Sequence, residues 1–335
     1  DIVLIKSNDG LPTYHFAHLC DDHFMRTTHV IRGEEWLSSM PIHVELFSSL
    51  GFELPKYAHV PVIMKVENGN RRKLSKRKDA EAAVSFFLEK GYPTDGFLEY
   101  LLTIANSNFE EWRSANLDKD MYQFEMTFNN MSLDGALFDL AKVQNICKEL
   151  LARKTAQEMT DRVKSWASKY DEELYEMITS NEDYFTSIMN IERGGEKPRK
   201  DYEKYGDIKE IIKFFYNDKF EEISKQDYEF NPNINKEDII NVINLYKEKF
   251  DLNVSEEEWF ANVKEVAVSL GFAASPKEYK KNKEAFKGHV GDVAEILRIA
   301  MSGRKQTPNL YHIMKILTRD EVVSRLNKTL LKIGG

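Results

Sequence analysis

The sequence predicts a mainly α-helical protein with a small N-terminal α/β part. Three observations carry that expectation. Strand-like runs occur before Asp79 and nowhere clearly after it. Beyond Asp79, apolar residues recur at helical spacing, as at Val84, Phe87 and Leu88 and at Phe97, Leu98, Leu101 and Leu102. Several later segments also open with the serine or threonine, then glutamate three residues on, that closes the first turn of a helix.

Taken in order, Ile2–Lys6 reads as a buried strand and Ser7-Asn8-Asp9-Gly10 as a turn. A helix is expected over Tyr14–Met25 and a short strand over His29–Arg32. A second helix, Pro41–Leu50, has proline where the first turn tolerates it and is stopped by Gly51. Val60–Val66 is a β-branched run, followed in Glu67-Asn68-Gly69-Asn70 by the Asn-Gly signal of a tight hairpin. Strand–helix–strand order implies part of an α/β layer. From Arg153 onward only helices are expected. Capping boxes are predicted at Ser255 with Glu258, Ser275 with Glu278 and Thr318 with Glu321. Gly194-Gly195 and Pro198 mark a loop within 192–204, and Asn231-Pro232-Asn233 a connection between helical units.

With 335 residues, 42% of them hydrophobic and 30% charged, the chain is an ordinary globular protein of about two domains. No run approaches the ~20 apolar residues of a membrane span. The chain starts at Asp1, directly before a strand-like run, so further chain upstream is expected. Cys20 and Cys147 have no CxxC partner and read as small buried residues in a reducing cytosol; the histidines form no metal-binding pattern, and no structural metal is predicted. A net charge of −8 argues against a polyanionic partner. Binding is local, however, and positive charge is bunched at Arg71–Lys78, 197–204, Lys277–Lys287 and Arg304–Lys305.

The sharpest chemical signal is Lys73-Leu74-Ser75-Lys76-Arg77-Lys78. Taken alone, a basic hexamer is most often a solvated patch. Two lysines bracketing a small hydroxyl residue on a loop can also close over a phosphate chain and neutralise charge that develops on it. The segment resembles the Lys-Met-Ser-Lys-Ser signature of class I aminoacyl-tRNA synthetases, in the form typical of the glutamyl and glutaminyl branch. Lys6-Ser7-Asn8-Asp9-Gly10-Leu11-Pro12-Thr13-Tyr14-His15-Phe16-Ala17, Asp21-Asp22-His23 and His29-Val30-Ile31-Arg32-Gly33-Glu34-Glu35-Trp36 resemble the same branch, in order and spacing.

The resemblance implies roles residue by residue. Arg32 would pair with the side-chain carboxylate of glutamate, since a guanidinium fork suits a carboxylate. Tyr14 would line the substrate pocket, with His18 where the family often has asparagine. Glu35 and Trp36 would line the site for ATP and the terminal adenosine, and Val62 and Ile63 would offer backbone contacts to adenine. Lys73, Ser75 and Lys76 would form the mobile phosphate loop. Phe138-Asp139-Leu140-Ala141-Lys142-Val143 resembles the segment after the catalytic part. Near the C-terminus, Ser302–Leu310 resembles the anticodon-reading loop and Arg325–Lys328 the closing helix, giving Thr307, Pro308, Leu310 and, from Pro198-Arg199, Arg199 as anticodon contacts. Thr307 is expected as N-cap with Pro308 at the first helical position.

The fold implied is the second half of a class I nucleotide-binding domain (1–55), a stem-contact region with the lysine loop (56–153) and two helical anticodon-binding subdomains (154–250 and 251–335). The reaction implied is ATP-dependent activation of glutamate to an adenylate and its transfer to tRNA(Glu), with tRNA(Gln) left open. ATP would bring Mg²⁺, and the enzyme would be a cytoplasmic monomer. The His-x-Gly-His signature of class I enzymes does not occur in these 335 residues, so this chain alone is expected to lack adenylate formation. That absence keeps open the alternative of a non-catalytic tRNA-binding module on a synthetase scaffold.

Overall fold

The computed structural model describes residues 2–195 and 197–334. It clusters into two compact units, the residues up to Leu88 with Thr94–Ile146, and Glu89–Pro93 with the chain from Cys147 onward.

The first unit is built around β1 (His29–Gly33) and β2 (Lys56–Val60), which pair in parallel with Arg32 opposite His59. Parallel strands need a crossover. Here it runs through a 3₁₀ turn (Glu34–Ser39) and α2 (Met40–Ser49), and α1 (Tyr14–Phe24) packs beside α2. Pro41 lies in the first turn of α2, and Gly51 takes the left-handed conformation (φ +67°) just past its end. Leu19 of α1 and Phe47 of α2 are each 1% exposed and form the local core.

β3 (Met64–Glu67) and β4 (Asn70–Lys73) form the expected hairpin. Asn68 and Gly69 both have positive φ (51° and 80°), as a tight primed turn demands. The run Val60–Val66 is thus not one strand: Pro61, which has no N–H for a ladder, separates β2 from β3. α3 (Val84–Lys90), α4 (Thr94–Ala105), α5 (Phe109–Ala115) and α6 (Leu140–Ala152) follow. Phe87 stacks on Phe97 with ring centres 4.0 Å apart and closes the second core of this unit.

Two expectations for this unit are corrected. Ile2–Lys6 is not a buried strand. Ile2, Val3 and Ile5 are 39–64% exposed, and among the described residues the segment pairs with the chain's own return, Thr13 N–H donating to Leu4 O (2.8 Å). Cys20 is half-buried, whereas Cys147 is buried as expected.

The second unit is all-helical among the described residues. It comprises α7 (Ala156–Tyr170), α8 (Glu172–Ser180), α9 (Glu182–Met189), α10 (Ile208–Ile212), α11 (Asn217–Ser224), α12 (Lys236–Lys249), α13 (Glu256–Ser269), α14 (Pro276–Lys281), α15 (Val290–Ser302) and α16 (Leu310–Gly334). One continuous core runs through it, from Leu150 and Met159 to Ile313 and Leu326. Ser255 and Glu258 form the predicted box, and Ser275 caps α14 while Glu278 reaches back to the N–H of Ala274. Boxes at Thr155/Glu158 and His289/Asp292 were not anticipated. Thr318 stands at a kink where two helical stretches of α16 meet, with φ +69° and ψ 162°; a helix starts after it as expected, but Glu321 turns to Arg325. Arg325 is fully buried, giving hydrogen bonds to the carbonyls of Phe214 (2.7 Å) and Met301 (2.6 Å) and to Glu321.

Candidate active site

The first unit gathers a ring of aromatic and basic side chains at the mouth of the β1–β2 pair. Tyr14 and His18, four apart on α1, share a face. Arg32 leaves β1, Trp36 the 3₁₀ turn and His43 α2, while Tyr57 and His59, two apart on β2, point to one side. Tyr14 stacks on Trp36 with ring centres 4.1 Å apart and remains 43% exposed.

Arg32 is the centre of the group. Its Nε donates to Nε2 of His59 (3.1 Å), its Nη2 to Nδ1 of His43 (3.1 Å), and its plane lies over the Tyr57 ring at 4.9 Å. Nη1 is buried and has no hydrogen-bond partner, and among the described residues no carboxylate forms an ion pair with Arg32. A buried N–H left without an acceptor is costly, so such an atom marks a place prepared for one.

His18, expected at the substrate, has neighbours at both ring nitrogens. Its Nδ1 contacts Asp22 and its Nε2 meets the hydroxyl of Tyr57 at 2.8 Å, so no ring nitrogen is left for a ligand. The residue is 8% exposed, and burial outweighs Asp22 to lower its pKa. The neutral ring therefore accepts from Tyr57, whose hydroxyl burial pushes up to about 12.

The lysine loop reaches the residue next to the stacked Trp36. Glu35, one residue before the stacked Trp36, accepts from Nζ of Lys73 at 2.6 Å, and this bond lowers its pKa. Together with Gly33, Pro61, Val62, Ile63 and Ser75–Lys78, this pair lines an open cleft. Ile63 O accepts from the N–H of Leu74 (2.9 Å), which straps the loop to the β2–β3 connection. Val62 N–H lies 3.5 Å from Glu34. Lys73, Lys76, Arg77 and Lys78 are exposed and Ser75 half-buried.

The base of the loop is set by a residue that sequence reading missed. Asp79 is 4% exposed and accepts from both terminal nitrogens of Arg72 (2.7 and 2.8 Å) and from the N–H of Ser75 (2.9 Å), with Lys65 at 3.2 Å. These donors, Arg72 first, hold its carboxyl well below the usual range. The signal was available: Asp79 directly follows the basic hexamer. His43, Tyr57 and His59 were missed too, and only the alternation Tyr57-Ala58-His59 hinted that two of them share a face.

In the second unit, Arg199 and the 307–310 loop come together through Glu192. Arg199 contacts Asp201 and lies 3.4 Å from Glu192, which accepts the N–H of Asn309 at 2.8 Å. Thr307 is not the N-cap. α16 starts at Leu310, and Asn309 caps it, its Oδ1 accepting from Tyr311 N–H (3.0 Å). The reason is local competition: the Thr307 hydroxyl is held by Arg298 (2.5 Å) and donates to Pro308 O (2.9 Å). Thr307 and Pro308 stay half-buried at the surface, whereas Leu310 is 3% exposed and faces the core. Burial pushes the Arg298 guanidinium down.

The family models assign this β–α–β unit with its lysine-rich loop, and the all-helical unit that follows, to the class I aminoacyl-tRNA synthetases. Residues 1–145 match the family of class I tRNA synthetase catalytic domains of the E and Q type, and residues 158–330 match the anticodon binding domain. Relatives include glutamate–tRNA ligases of Clostridium perfringens (47% identical) and Acetivibrio thermocellus (44%), each match covering 98% of this chain and 60% of the relative. The crystal structure of glutamate–tRNA synthetase from Elizabethkingia anophelis shares the fold, with a TM-score of 0.69 at 23% identity, covering 99% of this chain and 62% of that one. The chain belongs to the class I tRNA synthetases of the E and Q type, and it spans about 60% of the length of the glutamate–tRNA ligases it matches.

Proposed function

We infer that this chain supplies the glutamate-recognition pocket, the phosphate loop and the anticodon-binding unit of a glutamate–tRNA ligase. The observation that carries this reading is the buried, partnerless Nη1 of Arg32 beside the Tyr14–Trp36 stack. A guanidinium that keeps its charge and one free donor binds the side-chain carboxylate of glutamate, at about 1.5–3 kcal/mol for a charged hydrogen bond. ATP, with its Mg²⁺, enters as substrate. The glutamate α-carboxylate attacks the α-phosphorus, pyrophosphate leaves, and the terminal ribose hydroxyl of the tRNA then takes the glutamyl group from the adenylate. Lys73 and Lys76, exposed on a loop anchored by Asp79, fit the charge that builds on the departing pyrophosphate. Val62, Ile63, Glu35 and Trp36 border the adenosine side, and Arg199, Thr307 and Pro308 the anticodon. tRNA(Glu) is the partner, tRNA(Gln) a second acceptor to be assayed, and the enzyme a cytoplasmic monomer. Among the described residues no helix is long and apolar enough to cross a membrane.

The test is glutamate-dependent ATP–pyrophosphate exchange by the full-length protein in the presence of tRNA. Arg32→Ala should raise the KM for glutamate by at least about tenfold, and Lys76→Ala should lower kcat by about 10²-fold or more. The 335-residue chain alone should show no exchange. Exchange that is indifferent to Arg32 contradicts the assignment.

A further inference from the structure

Among the described residues, four other buried or half-buried arginines meet a carboxylate or backbone carbonyls, and of these Arg113 keeps one buried donor, Nε, without a partner. Arg113 meets Glu99 (2.9 Å), Arg325 meets Glu321 (2.7 Å), and Arg72 meets Asp79 and Glu67. Arg193 gives its donors to the carbonyls of Met189, Leu151 and Lys154. Arg32 is held otherwise, by two imidazole nitrogens, with Nη1 left over.

We propose that His43 and His59 are positioning residues that hold Arg32 as an uncompensated cation and so make the pocket select an acidic side chain over its neutral amide. This rests on Arg32 being the anchor for the substrate side chain. A guanidinium has five N–H donors and no acceptor. The nitrogens facing it, Nδ1 of His43 and Nε2 of His59, must therefore carry lone pairs. His43 then bears its proton on Nε2, which donates to Nδ1 of His15 at 3.0 Å. Both imidazoles orient the guanidinium without cancelling its charge, and neither reaches Nη1. An aspartate or glutamate in either place would orient it equally well and quench it.

The surroundings keep these rings neutral. His43 is 1% exposed and faces Tyr14, His15 and His18 from α1, Arg32 from β1 and His59 from β2. The nearby carboxylate, Asp22, lies against Nδ1 of His18 and forms no ion pair with Arg32 among the described residues. Burial, then His18 and Arg32, lowers the His43 pKa to about 4. Desolvation and Arg32 lower that of His59. A substrate carboxylate meets an unquenched cation with a free donor. An amide offers the same donor only a neutral oxygen.

The experiment compares isosteres in the full-length enzyme. His43→Asn places an amide oxygen near the position of Nδ1, and His43→Asp has the same shape with a negative charge. His59→Gln and His59→Glu repeat the comparison at Nε2, so that one misfolded variant does not end the test. In glutamate-dependent exchange with tRNA, the acidic variants should raise the KM for glutamate at least about tenfold over their amide partners, with the KM for ATP unchanged. The preference for glutamate over glutamine should fall in parallel. Equal glutamate KM values within each pair, whether near wild type or both raised, overturn the proposal. A wild-type enzyme that exchanges with another amino acid and not with glutamate overturns the functional reading itself.

Discussion

Arg32 shows how little of a side chain's task lies in its own identity. Its type and its neighbours in sequence pointed to a carboxylate partner. What makes it available is contact with His43 and His59, 11 and 27 residues away along the chain. Those contacts have a consequence for stability. A histidine whose folded pKa lies below its unfolded value binds more protons when unfolded, so stability rises with pH across the interval between the two. For His43 the interval runs from about 4 to its ordinary 6.5, and His18 shifts in the same direction. The stability these rings contribute is complete above 6.5 and is lost as pH falls toward 4. The melting temperature of the wild-type protein should therefore fall more steeply between pH 6.5 and 4 than that of His43→Asn. Parallel curves contradict the lowered His43 pKa.

Local signals placed the elements well where a cap or a turn acts over three or four residues. α1, β1, α2 and the Asn68-Gly69 hairpin fall where they were expected, as do the caps at Ser255 and Ser275. They failed where a neighbouring group competed. Thr307 lost its capping role because Arg298 holds its hydroxyl, and Val60–Val66 broke at Pro61. Thr318 differs from both: a helix starts after it, as its sequence reads, but its φ of +69° with ψ near 160° is a conformation that suits glycine and strains a β-branched residue by about 1–3 kcal/mol. Thr318→Gly should raise the unfolding free energy by about 1 kcal/mol after the added freedom of the unfolded chain is offset. Urea denaturation measures this, and a destabilised variant would show that Thr318 is not strained.

At the scale of the whole molecule, a net charge of −8 is compatible with the proposed polyanionic partner because charge is distributed unevenly. Lys73–Lys78 crowds one loop of the first unit, and in the second Arg199 comes next to the 307–310 loop. tRNA affinity should fall steeply as salt rises from low to moderate concentration, with the logarithm of the binding constant linear in the logarithm of salt. Thr307→Glu, which adds a negative charge where the nucleic acid is proposed to lie, should weaken binding about tenfold or more in a filter-binding assay at low salt. An unchanged affinity removes that loop from the interface.

The sequence alone determined the helical character, the hairpin, the family and the identity of Arg32, Tyr14 and the lysine loop. Each of these is encoded in a short window, through side-chain periodicity, turn chemistry or a motif of fixed spacing. Tertiary structure alone decided which donors were spent and which were left. Asp79 took the loop's base, Tyr57 and Asp22 took His18, and two imidazoles took Arg32 while sparing Nη1. The physical reason is that hydrogen bonds and charge compensation depend on distance in space, and the residues that settle them here come from α1, β1, α2 and β2, which only the folded chain brings together.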